Sequence, residues 1–154
     1  MNDVSIKSLP RLKAVGIEHI GPYTQVKEAF DRLFGWLEAR KLAGPDIRMF
    51  GAFYDDPEKV APDKLHSRAL AVTDRQFDIE SPIERTEIGG GEYGVLRYKG
   101  PYENLMSAYD FLYKEWLPKS GRQPGKGPTL EEYINNPSTT KPEELLTNIY
   151  IPLA

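Results

Sequence analysis

No cysteine occurs among the 154 residues, which excludes disulfides, thiolate nucleophiles and cysteine-ligated metal centres. Histidine is scarce as well. His19 and His66 are the only two, and neither has a second imidazole or a metal-ligand spacing to nearby carboxylates. No metal site, no catalytic histidine and no cofactor is expected. Positive charge is not in excess, with 20 Lys and Arg against 23 Asp and Glu, so the electrostatic footprint of direct nucleic-acid binding is missing. No stretch approaches the roughly 18 apolar residues of a membrane span. The opening Met1-Asn2-Asp3-Val4 is polar, without the cationic-then-apolar order of a secretion signal. A cytoplasmic protein that does not enter membranes is the expectation. There is no Gly-x-Ser-x-Gly elbow for a nucleophilic serine. Gly89-Gly90-Gly91-Glu92-Tyr93-Gly94 fits a dinucleotide fingerprint in letters only, because a strand pattern follows where a helix N-terminus is needed.

What the chain does have is repetition. Gly21-Pro22-Tyr23 and Gly100-Pro101-Tyr102 each follow an apolar strand pattern and open a helical one. At an offset of 79, Ala29 meets Ala108, Phe30 meets Tyr109, Asp31 meets Asp110 and Leu33 meets Leu112. The match resumes at an offset of 80, where Phe53-Tyr54-Asp55-Asp56-Pro57 meets Tyr133-Ile134-Asn135-Asn136-Pro137. Repetition at fixed period is the signature of a duplicated unit. A single domain over 1–154 is expected, made of half-repeats covering approximately 1–75 and 80–154.

Each half reads as strand, strand, helix, strand, strand. Val26, Phe30, Leu33, Phe34 and Leu37 recur at helical spacing, as do Leu105, Ala108, Tyr109, Leu112 and Trp116. Two such units predict an α+β fold: one curved, largely antiparallel sheet, both helices on one face and a groove on the other. Alternation along the closing strands then selects side chains pointing away from the helices. Glu131 and Tyr133 are taken from one strand and Asn148 and Tyr150 from the next. The first-half positions Phe53, Arg68 and Leu70 map onto them. Aromatic walls with a few convergent polar groups describe a ligand groove.

Taken together, these motifs, with Thr86-Glu87-Ile88-Gly89-Gly90-Gly91-Glu92-Tyr93 and the closing Thr147-Asn148-Ile149-Tyr150-Ile151-Pro152, resemble the DNA gyrase inhibitor-like domain. That module is also the effector-binding domain of AraC-type and MerR-type regulators. The resemblance implies a stand-alone binder of a small hydrophobic or aromatic ligand, a multidrug-binding class. It also implies two alternatives: a protein-interaction role such as inhibition of DNA gyrase, and hydrolysis of strained cyclopropane-bearing genotoxins. Multidrug-binding members carry an acidic residue on the last strand, where this chain has Asn148, and Arg68 stands at the corresponding first-half position. A non-catalytic groove lined by Phe53, Arg68, Leu70, Glu131, Tyr133, Asn148 and Tyr150, favouring neutral or anionic ligands, is therefore expected. An enzymatic role would instead need the Glu131 carboxyl raised by burial.

Overall fold

The computed structural model describes residues 3–154; Met1 and Asn2 of the polar opening segment lie outside them. The fold is α+β. Its strands, in chain order, are β1 (Val4–Leu9), β2 (Leu12–Ile20), β3 (Arg48–Phe53), β4 (His66–Val72), β5 (Glu84–Ile88), β6 (Gly91–Lys99), β7 (Thr129–Tyr133) and β8 (Leu146–Pro152). Two compact units emerge, residues 11–89 and residues 90–154 with the segment ending at Pro10.

In the unit spanning 11–89 the strands pair antiparallel in the order β3-β4-β2-β5. Helix α1 (Lys27–Ala39) covers one face. Pro22, which has no amide hydrogen to leave unpaired, precedes the short 3-10 turn Tyr23–Gln25 that leads into it. Ala29, Leu33 and Leu37 recur every four residues and so form one buried row. That row packs with Val15, Ile17, Ala69 and Ala71. Phe34, expected in the same stripe, is 39% exposed. One residue on from Leu33 it is turned about 100° around the helix, away from the row.

The other unit pairs antiparallel as β1-β6-β8-β7. Its core joins Leu96, Tyr98, Ala108, Leu112, Ile149 and Ile151. The units do not coincide with the half-repeats: β1 pairs with β6, and β5 pairs with β2.

The second helical stretch is α2 (Leu105–Asp110), a π turn (Phe111–Trp116) and α3 (Leu117–Ser120) without a break. Within it the Leu117 amide donates to the Leu112 carbonyl, five residues back. The change of offset from 79 to 80 falls here. Fully buried Leu33 and Leu112 align at 79, whereas buried Leu37 and Leu117 align at 80. So do the left-handed residues that end the helices, Lys41 (φ 57°) and Gly121 (φ 74°). With Phe34 aligned to Tyr113 and Gly35-Trp36 to Glu115-Trp116, the additional residue is Lys114. A wider turn keeps both leucines on the core side despite it. Among the described residues no helix is long and apolar enough to cross a membrane.

Candidate functional site

Glu131 is the polar centre of the second unit. On β7 it stands directly opposite Ile149, a core residue beneath the helix, so its side chain shares the helix-facing side of the sheet. It is 7% exposed. Tyr109, from α2, donates its hydroxyl to Glu131 Oε2, and Tyr133 donates to Oε1 at 2.7 Å. The Tyr133 ring meets Tyr102 edge-on at 5.6 Å between centroids. One rung further along the strand, the Tyr113 hydroxyl and Thr129 Oγ1 lie 3.5 Å apart. The helix-facing residues of β7, at 129, 131 and 133, are thus each met by a tyrosine, Tyr113, Tyr109 and Tyr102 in turn.

Burial raises the Glu131 pKa, and the two tyrosine hydrogen bonds offset part of that rise because they favour the carboxylate. Tyr109 and Tyr133 are pushed well above the ordinary phenol value, by burial first and by the neighbouring carboxylate second. Tyr102 is raised by the same two causes. The tyrosines therefore remain proton donors, and the carboxyl accepts from both sides. Among the described residues no lysine, arginine or histidine pairs with Glu131. Such a group can hold a cation or take a proton from one, since a buried charge is stable only when paired. No set of three or more His, Cys, Asp or Glu suited to a metal ion occurs among the described residues.

The positions chosen from the sequence do not share one face. Glu131 and Tyr133 lie on the helix side, opposite Ile149 and Thr147, whereas Asn148 and Tyr150 oppose Glu132 and Leu130 on the far side. In the first unit Phe53 opposes Ser67 on the helix side, where its ring meets Tyr23 at 5.0 Å. Arg68 and Leu70 oppose Ala52 and Phe50 on the far side. Nor is that far side open at these positions: Leu70 is 0% and Tyr150 6% exposed. The Tyr150 hydroxyl donates to Glu132 at 2.9 Å. Asn148 Oδ1 accepts from Arg97 Nε at 2.8 Å. The Arg68 guanidinium lies 3.6 Å from the Glu18 carboxylate and over the Tyr54 ring. Alternation within a strand was read correctly. The face was misassigned for Phe53, Glu131 and Tyr133, which were expected to point away from the helices and lie on the helix side.

Residues 2–154 match the model of the GyrI-like small molecule binding domain. The chain belongs to the GyrI-like family. It is 26% identical over 154 residues to a probable transcriptional regulator, YgiV, of Escherichia coli O157:H7, covering 99% of this chain and 96% of that one. It is 27% identical over 140 residues to a DNA gyrase inhibitor of Serratia proteamaculans, covering 86% and 87%. Among solved structures, the EcmrR C-terminal domain superposes with a TM-score of 0.77 at 18% identity, covering 99% and 97%. Against EcmrR in a DNA complex, the chain spans 57% of that protein. SAV2435, solved bound to tetraphenylphosphonium, superposes with a TM-score of 0.63 at 15% identity, covering 99% and 94%.

Within this GyrI-like chain the sequence reading missed Tyr109, which it took for a core residue, and Tyr113 with Thr129. A signal for Tyr109 was present. Where the second stretch has Tyr109 and Glu131, the aligned first-stretch residues are Phe30 and Gly51. A hydroxyl and a carboxyl gained together mark two residues that satisfy each other.

Proposed function

We propose that this GyrI-like chain is a cytoplasmic small-molecule-binding protein whose ligand presents a positive charge to Glu131 between the Tyr102, Tyr109 and Tyr133 rings. The observation that carries the reading is a buried carboxylate with two hydroxyl donors and no basic side chain beside it among the described residues. A low local dielectric strengthens its attraction for a cation, and aromatic faces add a cation–π contribution. The binding of tetraphenylphosphonium by SAV2435 supports a ligand of that class. The expected preference for neutral or anionic ligands drew on Arg68 and Asn148. Asn148 lies on the opposite sheet face from the carboxyl, and Arg68, in the other unit, already has Glu18 as a partner.

Isothermal titration with tetraphenylphosphonium tests the reading. Saturable binding that Glu131→Gln weakens about tenfold or more is expected, since a charge-assisted contact is worth roughly 1.5–3 kcal/mol. Equal affinity in both proteins would move the site away from Glu131.

A second reading has an observation of its own. The upward shift of Glu131 is what a general base on a bound electrophile requires, and a Listeria innocua protein described as a hydrolase superposes with a TM-score of 0.70 at 12% identity. Incubation with a strained cyclopropane-bearing electrophile should then give product that Glu131→Gln abolishes. Recovery of intact compound would leave binding alone.

A further inference from the structure

β1 is the outermost strand of its unit, held by β6 on one side only. Val4 and Ile6 stand opposite Leu96 and Gly94, and Val4 and Leu96 pack in the core under the second helical stretch, so Ile6 shares the helix side of the sheet. Ile6 is 43% exposed. Gly94, facing it, has no side chain to cover it, and the Trp116 ring takes that space: a Cβ at residue 94 would lie 2.8 Å from Trp116 Cζ3. An indole ring and an isoleucine therefore stand side by side at an unpaired sheet edge.

The duplication supplies the same edge a second time. At the offset of 79, Ile6 aligns with Arg85 and Gly94 with Val15, and Arg85 pairs with Val15 as Ile6 pairs with Gly94. β5 is therefore the counterpart of β1, and it is protected. The Arg85 guanidinium donates to the Phe77 carbonyl and lies 5.2 Å from the Phe77 ring centroid. Phe77 in turn meets Trp36, the counterpart of Trp116, at 5.9 Å. The segment between β4 and β5 thus straps that edge. Glu84 and Glu87 add charge along β5, a device that discourages strand addition. Along β1 the only charge is Lys7.

From the contrast between the two edges we infer that β1 is an interface for a second copy of this chain, added antiparallel about a two-fold axis at Ile6. The occupant is a second copy because the strand complements itself. With Ile6 on the axis, each Lys7 faces a Ser5 and each Ser8 a Val4, so no like charges stand opposite each other. In this register paired residues share a face, and the Trp116 and Ile6 of one copy continue into the Ile6 and Trp116 of the other. Four apolar side chains then close one seam. Such an isologous contact ends at two copies, since the counterpart edge on β5 is strapped and charged. One short strand and one seam make a small interface, which gives a concentration-dependent dimer and not a permanent one.

Sedimentation equilibrium of the full chain over a range of concentrations tests the interface. A reversible monomer–dimer equilibrium is expected, and Ile6→Lys, which sets two like charges on the axis, should raise its dissociation constant about tenfold or more. Ile6→Thr, which keeps a strand-forming side chain and adds no charge, should weaken it less. Both variants should keep the wild-type circular dichroism, because Ile6 is already partly in water. The chain has no cysteine, so a single introduced one reports the register without background. Ile6→Cys should form a disulfide-linked dimer on mild oxidation much faster than Ile20→Cys, placed at an apolar position of β2 that is 57% exposed. A chain that stays monomeric at every concentration overturns the inference, and so does a dimer indifferent to Ile6→Lys, which would place the contact elsewhere. Equal cross-linking at positions 6 and 20 would mean random collision and would overturn the two-fold register. Neither measurement involves a ligand, so the outcome is independent of the Glu131 reading.

Discussion

Burying the Glu131 carboxyl has a consequence that can be read without a ligand. Its folded pKa lies above the ordinary glutamate value because burial penalises the charge, so the native state keeps the proton over a range where the unfolded chain has released it. The stability contributed by this group is fully present below the unfolded carboxyl range and is lost as pH rises through the folded value. Denaturant unfolding at several pH values should show the wild type losing stability relative to Glu131→Gln as pH rises through that window. A flat difference would mean that the two tyrosine hydrogen bonds cancel the desolvation. Affinity for tetraphenylphosphonium should run the opposite way, rising with pH over the same window, because the cation needs the carboxylate. Of this cluster, the sequence made Glu131 and Tyr133 visible as a polar and an aromatic residue two apart on a strand. It hid their partner, because tyrosine at a core-facing helical position reads as packing until a carboxyl is known to lie beneath it.

The two helices make an internal control for each other. Leu33 and Leu112 are both 0% exposed in equivalent rows, and either leucine changed to alanine should cost about 2–5 kcal/mol by denaturant unfolding. Deletions should separate them. Removing Lys114 turns the π turn into an α turn and leaves Leu112 and Leu117 four residues apart, the spacing that Leu33 and Leu37 already have. Circular dichroism and the unfolding midpoint should change little. Removing Gly35 brings Glu38 to the place of Leu37 and buries a charge, so that variant should be severely destabilised. Comparable losses in both would show that Lys114 is not the additional residue. Strands and helices were legible from alternation, helical spacing and Gly-Pro punctuation. The π turn was not, because one residue inserted in a helix leaves only a change of offset, which a loop absorbs equally well on paper. The structure decides for the helix, because Leu117 and Gly121 already stand at the later offset.

The proposed duplication divides the sequence near residue 80, whereas the compact units divide it differently, with β1 joining residues 90–154 and β5 remaining in 11–89. Sequence alignment could not reveal this, since strand patterns say which residues are extended and not which edge they pair with. Pairing has a thermodynamic signature. Strands of one cooperative unit open together, so their amides share an opening free energy even when they are distant in sequence. Val4 to Leu9 runs against Gly91 to Leu96, and Glu84 to Ile88 against Leu12 to Gly16. Native-state hydrogen exchange should therefore follow the pairing rather than the sequence. Leu112→Ala, which weakens the core under α2, should lower protection in β1, β6 and β8. Leu33→Ala, which weakens the core under α1, should lower it in β2, β4 and β5. The decisive amides are the hydrogen-bonded ones of β1. If they lose protection with Leu33→Ala and not with Leu112→Ala, β1 belongs energetically to the strand that follows it, and contiguous halves describe the molecule better than the exchanged pairing does.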